Sequence, residues 1–339
     1  MTDLDVTRTA AEVLGWSRAA VDPPLRAAVA RLPASVRGIA AYHLGWSDEH
    51  GGPTGADAGK ALRPALALLA AGVVGGTAEQ ALPAAVAVEL VHNFSLLHDD
   101  VMDGDTTRRH RPTAWSVFGA NPAILAGDSL LVLALDVLAD SGRPAAGLLA
   151  AAVQRLIDGQ SADLSFERRA DVRPEECVRM AEDKTGALVG ASCALGALFG
   201  GGRADQVDRL RRFGEGVGLA FQFVDDLLGI WGDPEVTGKP VHSDLRNRKK
   251  SLPVVAALNS DDEAGRELRA LYHRAGPLSE ADLARAAHLV ESCGARAWSQ
   301  ARADDLLARA TTHLRAAGPG ERAARELDAL ARLATRRDH

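Results

Sequence analysis

Apolar positions spaced three and four residues apart dominate the chain, most clearly over 61–75 (ALRPALALLAAGVVG), 84–98 (AAVAVELVHNFSLLH), 122–140 and 145–158. That spacing lines one face of an α-helix. No run of alternating β-branched residues flanks an Asn-Gly or Asp-Gly pair, so no hairpin is expected. Helix punctuation is frequent. Pro122 marks a start, Ser141-Gly142-Arg143-Pro144 a break, and Pro174 with Glu175 and Glu176 another start. Ser279 and Asp282 have the spacing of a capping box. Segments 47–59 and 232–247 read as loops. The Arg/Glu-rich tail, 296–339, reads as a helix with a solvated, salt-bridged face, with a docking or dimer contact as the alternative. The pattern predicts an all-α fold, one domain over 1–339 with roughly ten or more helices in a large bundle.

Composition narrows the classes. With 47% hydrophobic residues in 339, the chain can bury a sizeable core. Its net charge of −6 argues against general attraction to nucleic acid. Cys177, Cys193 and Cys293 are too scattered for a disulfide framework or a zinc site. The first residues are acidic and amphipathic, unlike a signal peptide, and the apolar stretches read as too short or too interrupted for a membrane span. A soluble cytoplasmic protein is expected. Only five of the 39 basic residues are lysines: Lys60, Lys184, Lys239, Lys249 and Lys250. In so arginine-rich a chain they point to places where a compact ammonium matters.

The chemistry concentrates at two acidic clusters. Asp99-Asp100-Val101-Met102-Asp103 ends an apolar helical run, and Asp99 and Asp103, at i and i+4, share one helix face about 6 Å apart. Such carboxylates repel unless a cation compensates them, and oxygen-only ligands suit Mg²⁺, which completes its shell with water and phosphate oxygens. Phe221-Gln222-Phe223-Val224-Asp225-Asp226 ends a second apolar run. Arg108 and Arg109 follow the first cluster, Lys239, Lys249 and Lys250 follow the second, and Lys60 and Arg63 lie in Gly59-Lys-Ala-Leu-Arg. Mg²⁺ held by carboxylates on one side and Arg or Lys on the other is what a diphosphate requires.

In this order and spacing the motifs resemble those of the trans-isoprenyl diphosphate synthases, the polyprenyl synthetase family. The resemblance covers about residues 55–255 and takes in GK-x-x-R (Gly59–Arg63), DDxxD (Asp99–Asp103), Arg108-Arg109, Lys184-Thr185, FQxxDD (Phe221–Asp226), Gly238-Lys239 and Lys249. It implies a helical bundle with a central active-site cavity, and Mg²⁺ on Asp99, Asp103 and Asp225. It implies an allylic diphosphate met by Arg108, Lys184 and Lys239, with Lys249 among the diphosphate-binding lysines. Isopentenyl diphosphate would be held by Lys60, Arg63, His92 and Arg109. Gln222 and Thr185 would steady the allylic cation, and the released diphosphate would take the proton. A homodimer is implied as well.

Three departures stand out. Gly229 replaces the third aspartate of the second motif, leaving Asp233 or Asp244 to compensate. Ala61 replaces an arginine common in GK-x-x-R, and His110 a glycine. Product length should be set by Ser95 and Phe94, four and five residues before Asp99, with Phe94 about 7.5 Å deeper along the helix. One aromatic beside one small residue resembles the geranylgeranyl (C20) pattern; farnesyl (C15) and C25 products are the alternatives. Two further readings stand beside the synthase. One is a class I terpene cyclase, disfavoured by an aromatic content of 4% and by Lys60, Arg63 and Arg109. The other is a non-catalytic subunit of a heteromeric synthase.

Overall fold

The computed structural model describes residues 7–55, 59, 61–234 and 240–335. Lys60 and Lys239, both expected to bind substrate, lie outside the described residues. The fold is all-α. The chain divides into two compact units, one of Met1–Val153, Ala191–Arg211 and Leu314–Leu330, the other of Gln154–Gly190, Arg212–His313 and Ala331–His339.

The first unit contains α1 (Ala10–Val29), α2 (Ala34–His43), α3 (Leu62–Val73), α4 (Leu82–Asp103), α5 (Ala114–Phe118) and α6 (Ala120–Val137). The periodic stretch 84–98 becomes α4, whose Pro83 sits in the first turn and whose end is fixed by Gly104 in the left-handed region. It is buried almost all round, with Ala84, Ala87, Val88, Leu90, Val91 and Leu97 at 2% exposure or less. It packs most extensively on α6, then on α3. A helix apolar on every side belongs at the centre of its unit.

The first unit also holds the two-residue strands β1 (Thr107–Arg108) and β2 (Arg111–Pro112), paired antiparallel. No strand was expected here, because two residues are too few to show an alternating pattern. Arg109 and His110, which join them, have φ of 50° and 60°. Two successive left-handed residues make the twist-matched hairpin turn.

Helix α7 (Arg143–Glu167) is followed by α8 (Pro174–Ala181), one π-helical turn at Glu182–Gly186, α9 (Ala187–Phe199) and α10 (Ala204–Trp231). Then come α11 (Ser243–Arg246), α12 (Leu252–Leu258), α13 (Glu263–His273), α14 (Glu280–Ser292), α15 (Ala295–Arg315) and α16 (Glu321–Thr335). The Ser279–Asp282 capping box is formed at the start of α14. Two apolar cores lie among the described residues of the second unit. One gathers Ile230, Leu245, Val254, Leu268, Leu283 and Val290, the other Phe166, Val172, Met180, Leu219, Phe223 and Leu252.

Two helical stretches, Glu79–Asp103 and Ala120–Ser141, are long and apolar enough to cross a membrane by length and composition, which corrects the reading of the apolar stretches as too short. The first is 72% buried within the fold, as a core helix would be; the second is 39% buried.

Candidate active site

In the first unit the site is built on the last turn of α4. Asp99 is half-buried and Asp103 exposed, while Asp100, between them on the helix, points inward at 1% exposure. Arg108 Nε donates to Asp100 Oδ1 at 2.6 Å, so the β1–β2 ribbon is tied to the helix by a charge-assisted bond. Burial raises the Asp100 pKa, and Arg108 opposes that shift. Three aspartates at the negative end of a helix dipole concentrate negative charge that a cation would neutralise.

Beside them is a cluster of cations and imidazoles. Arg63 Nε and His43 Nε2 are buried without a hydrogen-bond partner. Burial lowers the Arg63 pKa, and Glu89 counters it. His43 falls to about 3, through burial first and then Arg108 and Arg109. His92 is pushed well below its usual range by burial and by Arg63, Arg109 and Arg108. Both imidazoles are therefore neutral at pH 7, and His92 would reach a phosphate as a neutral donor.

Gly59 shows why the loop before α3 needs glycine. Its φ is +94°, and a Cβ there would lie 2.4 Å from the Arg109 guanidinium. Arg18 donates to the Gly59 carbonyl and fixes this loop from α1. Nothing in the local sequence linked Arg18 to the site. His110, which stands where the resembling family has glycine, takes a conformation that glycine adopts more freely.

In the second unit the site forms around the π-helical turn, a backbone form frequent at functional sites. Lys184 Nζ pairs with Asp163 Oδ2 at 2.6 Å. Gly159 on α7 admits the turn, since a Cβ there would lie 2.3 Å from the Lys184 nitrogen. Thr185 Oγ1 donates to Gln222 Oε1 at 2.8 Å, and Gln222 Nε2 donates to Asp226 Oδ1 at 2.8 Å. The Leu252 backbone nitrogen donates to Asp226 Oδ2 at 2.8 Å, and Lys249 Nζ stands 3.8 Å from Oδ1. This chain fixes the Gln222 amide with its oxygen toward Thr185. Asp226 is 3% exposed, and burial raises its pKa to about 6 against the pull of Lys249. Burial would lower the Lys249 pKa, but Asp226, Asp244, Asp163 and Asp225 outweigh it and hold the ammonium charged.

Asp226 is thus committed to the protein, while its half-buried neighbour Asp225 is placed one residue along α10. At Gly229 a Cβ would lie 2.3 Å from Asp244 Oδ2. The Asp244 carboxylate, carried by α11, therefore stands against the position from which the missing third aspartate would branch. Sequence reasoning overlooked Asp163 altogether. No motif marks it, and it meets Lys184 only because α7 packs on the π-helical turn.

Among the described residues no three carboxylate, imidazole or thiol side chains close on a common point. Asp99 and Asp103, one turn apart at the end of α4, would offer two carboxylate oxygens to a cation. That donor set fits Mg²⁺, which takes one or two carboxylates and completes an octahedron with water and phosphate oxygens.

A model of the polyprenyl synthetase family matches residues 54–290. The chain belongs to this family. It is 47% identical over 333 residues to the (2E,6E)-farnesyl diphosphate synthase of Mycobacterium tuberculosis, covering 96% of this chain and 93% of the relative. It is 44% identical, with the same coverage, to the geranylgeranyl diphosphate synthase of that organism. The crystal structure of a polyprenyl synthetase from Streptomyces coelicolor superposes with a TM-score of 0.90 at 46% identity, over 95% of this chain and 98% of that one. This polyprenyl synthetase is an enzyme, an isoprenyl diphosphate synthase that makes short-chain trans-prenyl diphosphates, from a family that generally depends on divalent metal.

Proposed function

We propose that the enzyme condenses isopentenyl diphosphate head-to-tail with an allylic diphosphate and releases mainly the C20 product, geranylgeranyl diphosphate. Asp99, Asp103 and Asp225 would hold Mg²⁺, which would neutralise the charge of the departing diphosphate. Arg108, Lys184 and Lys239 would donate to that diphosphate and favour ionisation of the allylic carbon–oxygen bond. Lys249 would add charge from beside Asp226. Lys60, Arg63, His92 and Arg109 would hold isopentenyl diphosphate so that its double bond attacks the allylic carbon. The second lone pairs of the Gln222 amide oxygen and Thr185 hydroxyl would face the developing cation. A proton leaves the carbon next to the new tertiary cation for the released diphosphate, and the C–H electron pair becomes the product's new double bond, so no protein base is needed. The family match extends through residues of both compact units, which supports treating 1–339 as one functional domain.

The observation behind the C20 reading is the pair before Asp99. Phe94 is 5% exposed, a bulky side chain fixed within the packing of α4, and Ser95 beside it is small. Relatives named for C15 and C20 products match the chain almost equally well, so overall identity does not separate the two. The deciding assay supplies Mg²⁺, isopentenyl diphosphate and dimethylallyl, geranyl or farnesyl diphosphate, with extraction before and after phosphatase. A C20 alcohol appearing only after phosphatase supports the proposal; a C15 alcohol as end product overturns the chain-length part.

We infer a cytoplasmic homodimer from the same resemblance. Leu125, Val132 and Leu135 form an apolar stripe on α6 at 57%, 66% and 38% exposure, as a helix covered by a second copy would. Val132→Asp should convert a sedimenting dimer to monomer; a wild-type monomer at micromolar concentration would refute the assignment. The three free cysteines accord with a reducing compartment.

A further inference from the structure

Phe94 does not stand alone in α4. Its ring meets that of His98, one turn later, edge-on, with centroids 4.8 Å apart and planes at 69°. His98 Nε2 lies 3.0 Å from the carbonyl oxygen of Ile124 on α6. A carbonyl only accepts, so this ring nitrogen carries the proton and donates. Asp128 Oδ1, 3.6 Å from the same nitrogen, lies on the same side. The imidazole also lies over Gly127. A Cβ at that position would come within 2.4 Å of both Cδ2 and Nε2 of His98, and within 3.5 Å of the Phe94 carbonyl oxygen. The imidazole is therefore held twice, by a hydrogen bond and by a seat that any side chain at 127 would fill.

We propose that His98, seated on Gly127 and bonded to Ile124, is a positioning residue that fixes the Phe94 ring and thereby sets product length. This rests on the reading of Phe94 as the floor of the tail pocket. A phenylalanine on a helix has more than one open rotamer, and only one closes a given pocket. The T-shaped contact favours the ring orientation that gives the His98 edge its partner, a bias of roughly 2- to 10-fold. Glycine at 127 of α6 admits the imidazole. In this role His98 acts through its contacts with Phe94, Ile124 and Gly127, not through the diphosphate chemistry.

The test is the product distribution of the full-length Mg²⁺-dependent enzyme, read by chromatography after phosphatase. His98→Ala and His98→Gln both remove the ring, and glutamine keeps a donor for Ile124. Each should raise the ratio of longer to C20 products by about 2- to 10-fold. Gly127→Ala, which displaces the imidazole without altering α4, should do the same. Adding His98→Ala to Phe94→Ala should then change the distribution no further, because there is no floor ring left to position. If Phe94→Ala lengthens the product but no His98 or Gly127 variant does, the proposal fails and the floor stands. If the double variant lengthens beyond Phe94→Ala, His98 acts on its own, and the proposal again fails. If Phe94→Ala leaves product length unchanged, the floor reading itself is wrong. The ratio does not depend on total rate, so a variant that is merely slow or less stable still gives an answer.

Discussion

The two aspartate motifs look alike in sequence and are built differently. On α4, Asp103 is exposed and Asp99 half-buried at a helix end, and Asp100 turns in to a single arginine on a short ribbon. On α10, Asp225 is half-buried, and Asp226 is locked by Gln222, the Leu252 nitrogen and Lys249. In each Asp-Asp pair the second residue is anchored by protein groups, and the proposed function assigns the chemistry to the first. The anchors differ in kind: a guanidinium from a hairpin in one, a backbone nitrogen and a network of side chains in the other.

The sharpest way to break this comparison is to exchange the roles. Asp99→Asn and Asp225→Asn should each lower kcat/KM by about 10³-fold, the size of losing one strong transition-state charge contact. Thermal stability should stay at the wild-type value. Asp226→Ala should do the reverse in kind and destabilise the fold by about 3 kcal/mol, since it removes the carboxylate that pulls most on Lys249 and leaves the Leu252 N–H and the Gln222 amide without their acceptor. Urea denaturation with the activity assay separates the two classes. Equal stability loss in Asp225→Asn and Asp226→Ala would erase the distinction between ligand and anchor.

Next in size is the pH effect of one group in the first region. His43 has a folded pKa of about 3 against an ordinary 6.5, from burial and then from Arg108 and Arg109. Between these values the unfolded chain binds the extra proton and the folded chain does not. Stability from this group is therefore full above pH 6.5 and falls as the pH drops. From pH 7.5 to 5.5 His43 should cost about 1.4 kcal/mol. His43→Gln should flatten the wild-type stability curve by that amount in paired urea melts at the two pH values. No flattening would show that His43 titrates normally in the folded chain. The second region has the opposite design, because its carboxylates hold Lys249 charged.

Much of this was legible in the sequence. Helical periodicity fixed the fold class because helices are long enough to repeat their pattern several times, as in α4 and α7. The aspartates, arginines and Lys184-Thr185 were legible because each motif is contiguous. What escaped is what depends on packing between distant segments. Asp163 meets Lys184 across 21 residues of chain, Arg18 meets the Gly59 carbonyl across 41, and Asp244 is placed against Gly229 by the turn into α11. The sequence left Asp233 and Asp244 open as replacements for the aspartate missing at 229, and only the coordinates show Asp244 standing against Gly229. The π-helical turn at Lys184 leaves no mark in composition, and the ribbon is too short to leave one.

The smallest effect lies in the ribbon that holds Arg108 and Arg109. Residues 109 and 110 both occupy the left-handed region, where a non-glycine residue is strained by about 1–2 kcal/mol. His110→Gly removes that strain but adds freedom to the unfolded chain worth about 0.4–1 kcal/mol. The net should be a gain of about 0.5 kcal/mol with kcat/KM unchanged, because the exposed His110 makes no contact the site uses. Arg109→Gly should relieve the same backbone and lose substrate affinity, since the guanidinium packed against Gly59 goes with it. A stability gain in both variants with a KM rise in the second alone would show that the turn stores strain in order to aim Arg109. If His110→Gly destabilises, the hairpin is not strained, and the first region is held as firmly as the second.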